Sequence, residues 1–246
     1  MDRYYVVFLI SAAIVGLIFL FNKNDNLVKE TLKKSAASKM IAFDSSPDLP
    51  VGFGYKTQWI AVKTSDTKSV VDSISLTDVH EANWRTGFAG TGSGYYFVSP
   101  PVQGWTLIIN PLMPDLGAEI SSDPLSFPLK AISYLSQRFG EAYYFGNHRI
   151  VGYYSWAKAS KGIVERAFGY LGESGTIMLD QGVPTDEETS LNLVFSNLTI
   201  NDGMKHPDEE DVLSIAKQWT IDPRMTEGEY NLGVGYSGKL NKHLGG

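Results

Sequence analysis

The hydrophobic positions of this chain recur with three spacings, and each predicts a different kind of element. Between Arg3 and Lys23 they run unbroken, because Tyr4 to Asn22 (YYVVFLISAAIVGLIFLFN) carries no charge. Such a run spans about 28 Å as a helix, close to the hydrocarbon thickness of a bilayer, and predicts a transmembrane anchor. Phe21, Asn22 and Lys23 follow it instead of a small-x-small cleavage site, which favours an uncleaved anchor over a signal peptide. Lys23, Lys29, Lys33, Lys34 and Lys39 come next, so the positive-inside rule favours the cytoplasmic side of the inner membrane for the rest of a single-pass chain.

Beyond Pro50 the runs are short. Alternating or continuous apolar stretches predict strands over Thr57–Lys63, Tyr95–Ser99, Trp105–Ile109 and Glu141–Phe145. Helical spacing predicts helices over Asp66–Ile74, with Ser65 or Asp66 as cap, and over Phe127–Phe139, with Gly140 just past its end. The order is β-α-β-β-α-β, the ferredoxin-like order, with Leu76–Gly94 left as a long connection. Strands over Ile150–Lys158, Ile163–Leu171 and Ile177–Asp180 extend it as an antiparallel β-meander. Neither alternate set of the Ile163–Leu171 run is purely apolar, which predicts a sheet with one partly wet face. Pro207 and the acidic run Asp208–Asp211 open a C-terminal helix with Val212, Ile215, Ala216 and Trp219 on its inner stripe. The fold class expected is therefore α+β. Its divisions are an anchor over 1–22, a polar linker over 23–50, a globular domain over 51–223 and a glycine-rich tail over 224–246, poorly ordered unless docked.

Composition narrows the function. The chain is 246 residues long, 43% hydrophobic and 20% charged, which suits a packed core and excludes disorder as a whole. It has no cysteine, so disulfides, thiolate metal sites and a cysteine nucleophile are excluded. Residues 51–246 carry 15 basic and 22 acidic side chains, a net −7, which argues against nucleic acid as a partner.

Most motifs fail on context. Gly233-Val234-Gly235-Tyr236-Ser237-Gly238 spells G-x-G-x-x-G, but no βαβ unit has room to follow it. Gly90–Gly94 lacks the Lys and Ser/Thr of a phosphate loop and reads as a turn. Three S-x-x-K matches lack their companion motifs, and no serine stands in a nucleophile elbow. The four histidines, His80, His148, His206 and His243, have no metal-ligand spacing.

Two places remain as candidate binding residues. The stretch Phe145–Ile150 reads as a tight turn presenting Asn147, His148 and Arg149 together. That turn suits an anion or carboxylate contact, with His148 as a possible acid/base, or a hairpin in which Arg149 pairs with Glu141 or Glu165. Trp84 and Arg85 read as an exposed aromatic–arginine pair of the kind enriched at interfaces. No catalytic or metal-ligating residue and no cofactor is assigned.

Tyr153–Ala159, Arg166–Glu173 and Pro207–Leu213 resemble an uncharacterised bacterial family over residues 55–223. The resemblance implies a bacterial origin and one continuous domain, and it carries no activity, cofactor or site residue. The function expected is a membrane-anchored, non-enzymatic protein-binding module, in one version an immunity or inhibitor protein whose acidic surface meets a basic toxin. The alternatives are an envelope structural or signalling component, and a hydrolase using His148 with Glu141, Glu165 or Glu173. The partners expected are the membrane, through residues 4–22, and another protein.

Overall fold

A computed structural model of the protein describes residues 41–116, 128–195 and 204–240. The expected membrane helix over 4–22 lies outside the described residues, as do positions 23–40 of the expected linker and 241–246 of the expected tail. Among the described residues no helix is long and apolar enough to cross a membrane.

The chain is a mixed α+β fold dominated by one antiparallel sheet of nine strands. The strands are β1 (Thr57–Val62), β2 (Leu76–Asn83), β3 (Tyr96–Val98), β4 (Thr106–Ile109), β5 (Glu141–His148), β6 (Tyr153–Ser160), β7 (Ile163–Leu171), β8 (Thr176–Gln181) and β9 (Val234–Leu240). They lie in the order β2-β9-β3-β4-β1-β5-β6-β7-β8. Short turns set the register of the hairpins. Lys161 and Gly162 join β6 to β7 with φ of 49° and 88°, the left-handed pair that matches strand twist.

Five helices accompany the sheet among the described residues: α1 (Thr67–Ser73), α2 (Trp84–Thr91), α3 (Leu129–Phe139), α4 (Asp186–Ser190) and α5 (Glu209–Trp219). Their ends obey local chemistry. Asp66 caps α1 by accepting from Ser69 N–H, and Gly140 stops α3 with φ of 94°. Asp208 and Asp211 close a capping box on α5, so the cap falls one residue after Pro207.

Both faces of the central sheet are covered. On one, Val70 and Val71 of α1 and Leu129, Ile132 and Leu135 of α3 pack over Ile60, Val62, Ile108, Ala142 and Tyr144. On the other, Trp84 of α2 and Val212, Ile215, Ala216 and Trp219 of α5 pack over Trp59, Ala61, Phe97, Phe145 and Trp156. The expected partly wet face is thus absent from the centre, and exposure is concentrated on the two edge strands, β2 and β8, and at the start of β7. Mixed polarity on β7 has another cause. Arg166, 1% exposed, is neutralised by Glu188 of α4 and Asp180 of β8.

Three further differences from the sequence reading share one origin, long-range pairing. Leu76–Gly94, expected as a connection, forms β2 and α2. Residues 43–50, expected as linker, pack on these elements: Phe43 fills the space above Gly90, and Asp48 exchanges backbone hydrogen bonds with Gly233. Val234–Leu240, inside the expected tail, enters the sheet between β2 and β3. The G-x-G-x-x-G run serves this insertion. A Cβ on Gly235 would lie 2.1 Å from the Val98 carbonyl, and one on Gly233 would lie 2.6 Å from Pro100.

Candidate functional site

Strand pairing places Gln58 of β1 opposite Gly146 of β5, two residues from the end of that strand at His148. Alternation puts Gln58 and His148 on the same side of the sheet as Ile60, Val62 and Tyr144. The loop after β4 folds over this end. Asn110 builds its turn by accepting from Leu112 N–H at 2.6 Å through its side chain, and from Met113 N–H at 3.2 Å through its backbone carbonyl. The result is an open cleft of about 290 Å³ lined by Gln58, Pro111, Met113, Pro114, Asp115, His148 and Val151.

A buried tyrosine pair holds the loop in place. The hydroxyls of Tyr144 and Tyr153 are 3.1 Å apart; Tyr144 donates to the Pro114 carbonyl, and Tyr153 accepts from Leu116 N–H at 2.6 Å. Burial pushes the titration of both phenols well up, so they act as neutral hydrogen-bonding groups. These bonds fix Asp115 beside the sheet.

The polar floor of the cleft is rich in acceptors. Gln58, 5% exposed, donates its Nε2 to Asp115 Oδ1, while its Oε1 is buried without a partner among the described residues. Among the described residues His148 Nδ1 is likewise buried and without a partner. Burial raises the Asp115 carboxyl above its ordinary value, opposed by the charge of His148 and the Gln58 hydrogen bond. An unsatisfied buried polar atom costs roughly 1–3 kcal/mol, so such a floor is a standing demand for a donor.

The candidate residues scatter. His148 lines the cleft, but the turn expected at Phe145–Ile150 begins only after it, since Asn147 and His148 belong to β5. Asn147 points to the opposite face, is 1% exposed, and has no partner for either amide atom among the described residues. Arg149 approaches Glu209 of α5 at 3.7 Å, not Glu141 or Glu165. Glu141 accepts from the Tyr143 hydroxyl instead. Trp84 is not exposed: its side chain is fully buried edge-on to Phe97, and its backbone N–H donates to Asp48 Oδ1 at 2.7 Å. Arg85 stays in solvent, 3.8 Å from Asp44.

Sequence reasoning missed Gln58 and Asp115. Gln58 carried a signal, being the one amide inside an otherwise apolar strand run. Asp115 carried none, because its role depends on a strand residue, Gln58, 57 positions away in sequence. The other described histidines lie elsewhere: His80 pairs with Asp78 at 2.9 Å, and His206 stacks on Tyr170. Among the described residues no three metal-ligating side chains group together.

Comparison of the chain with protein-family models, with curated proteins and with solved structures finds no match.

Proposed function

We propose that this protein is a membrane-tethered, non-enzymatic binding module that engages another protein at the Gln58–Asp115–His148 cleft. One observation carries the reading. The cleft is open, holds about 290 Å³, and is flanked in sequence by the two highly exposed aliphatics Leu112 and Ile150, at 72% and 71%. That volume lies at or below the range of small-molecule pockets and suits one side chain of a partner, with the aliphatics as apolar rim. Tethering through residues 4–22 with the globular part on the cytoplasmic side rests on the uncharged run and the lysines that follow it. An immunity or inhibitor role fits the same geometry, as the globular part is acidic. We also read β3-β4-β1-β5, with α1 and α3 on one face, as a ferredoxin-like core onto which β2, α2 and β9 are added.

Photo-cross-linking in living cells tests the site. A benzophenone amino acid at Leu112 or Ile150 should give one discrete adduct, and the same probe at the exposed Ile163 should give none. Ile163 is the control because it pairs with Ser160, at the far end of β6 from Tyr153 and His148. Equal adducts at all three positions, or none, would remove the cleft from consideration. Topology is tested separately with Gly245→Cys in this cysteine-free chain: labelling of intact cells by an impermeant maleimide would overturn the cytoplasmic placement.

A second reading has a specific observation behind it. Asp115, not Glu141, Glu165 or Glu173, is the carboxylate that shares the cleft with His148, and such a pair suits acid/base chemistry on a water. Hydrolysis abolished by both His148→Ala and Asp115→Ala, at unchanged melting temperature, would favour this reading over the binding module.

A further inference from the structure

The cleft has a chemical polarity that identifies what it takes. Gln58 gives one Nε2 N–H to Asp115 and leaves Oε1 without a partner among the described residues, so an acceptor at the cleft is unfilled. Asp115 contributes a carboxylate, which is acceptor-only when ionised. His148 Nδ1 has no partner among the described residues. The remaining lining side chains, Pro111, Met113, Pro114 and Val151, have no N–H or O–H to offer. Nearby positive charge is already engaged: Arg149 approaches Glu209 across the sheet. The site therefore holds two acceptors, one of them anionic, beside an imidazole in an apolar-walled cleft.

We infer that the cleft receives a lysine or arginine side chain of the partner protein, whose aliphatic stem lies along Pro111, Met113 and Val151 while its cationic head is shared by Asp115 and Gln58 Oε1, beside His148. Long basic side chains are built for such a site, with an apolar stem and a head that carries only donors. This inference rests on the binding reading above and names the group recognised. It also explains why a carboxylate is kept half-buried beside the unfilled acceptor of Gln58.

The test uses the full-length protein with histidine ¹³C labels and the His148 signal assigned from His148→Asn. Nα-acetyl-lysine methylamide is titrated against its norleucine counterpart, which has the stem without the ammonium. The lysine compound should shift the His148 signal saturably, leave His80 and His206 unmoved, and bind about tenfold or more tightly than the norleucine compound, as expected of a charge-assisted hydrogen bond. Asp115→Asn should remove that preference, with unshifted His80 and His206 signals reporting an intact fold. Gln58→Met, which deletes Oε1 at similar length, should weaken the lysine compound and not the norleucine one. Equal binding of the two compounds, no shift at His148, or a shift produced by acetate instead would overturn the inference. If Ile150 still cross-links a partner in that case, the binding reading stands and only the cationic guest is lost. If cross-linking fails as well, both fall.

Discussion

Gly146 shows how tightly single residues are held beneath the cleft. A Cβ there would lie 2.5 Å from Ser155 Oγ and 2.7 Å from both the Tyr144 hydroxyl and Tyr153 Cε1. Gly146→Ala should therefore lower unfolding free energy by about 1–3 kcal/mol in urea titrations, the usual cost of overpacking. Because the same tyrosines hold Pro114 and Leu116, the variant should also disturb the His148 signal. Glu188 is the second such residue. It accepts from Trp156 Nε1 at 2.7 Å and from Arg166 Nε at 2.8 Å, and it completes the capping box of α4 with Thr185. Removing one partner of a buried ion pair strands the other, so Glu188→Ala should cost about 3–5 kcal/mol in guanidinium denaturation. None of this was readable from sequence. Arg166 had no visible reason to be buried, and Glu188 stood in an ordinary acidic run, since the pair is joined by folding across 22 positions.

At the scale of elements, the parts governed by neighbours in sequence were legible. The α1 cap at Asp66, the α3 stop at Gly140 and the acidic opening of α5 follow from interactions within one turn. Asp208→Ala should lower the melting temperature of the domain by an amount equivalent to about 1 kcal/mol, measured by circular dichroism, through loss of the Asp211 N–H bond at 3.1 Å. Elements that depend on distant partners were not legible. Strand β2 is exposed over most of its length and, among the described strands, pairs with β9 alone, so its own pattern carries no hydrophobic signature. Glycines in β9 look like loop signals because they make room for Val98 and Pro100. A chain ending before Val234 should leave β2 unpaired and the β3 edge open, and should aggregate in size-exclusion chromatography where the full chain does not.

For the whole molecule, the balance of carboxylates sets how stability depends on pH. Burial raises Asp115, against His148 and Gln58, and burial likewise raises Asp211, against its bond to Lys205. An acid raised on folding binds more protons folded than unfolded, so its contribution falls as pH rises from the ordinary aspartate value through the raised one. Asp115→Asn should therefore gain stability relative to the parent chain across that window, and the difference between the two curves should stop changing with pH below it, as measured by urea titrations at stepped pH. Asp222 has the opposite sign. Burial raises it, but the Arg224 N–H bond and Lys217 outweigh burial and lower it, so its contribution is lost as pH falls. The sequence by itself determined the mixed α+β character, most strand and helix positions, the stop of α3 at Gly140 and the exclusion of cysteine chemistry, because these depend on composition and on contacts a few residues apart. Tertiary structure alone decided the nine-strand order, the burial of Trp84, the insertion of β9 and the meeting of Gln58, Asp115 and His148. Each of those joins segments whose closeness is set by sheet pairing across tens of residues, and no local pattern encodes which distant strand supplies the hydrogen bonds.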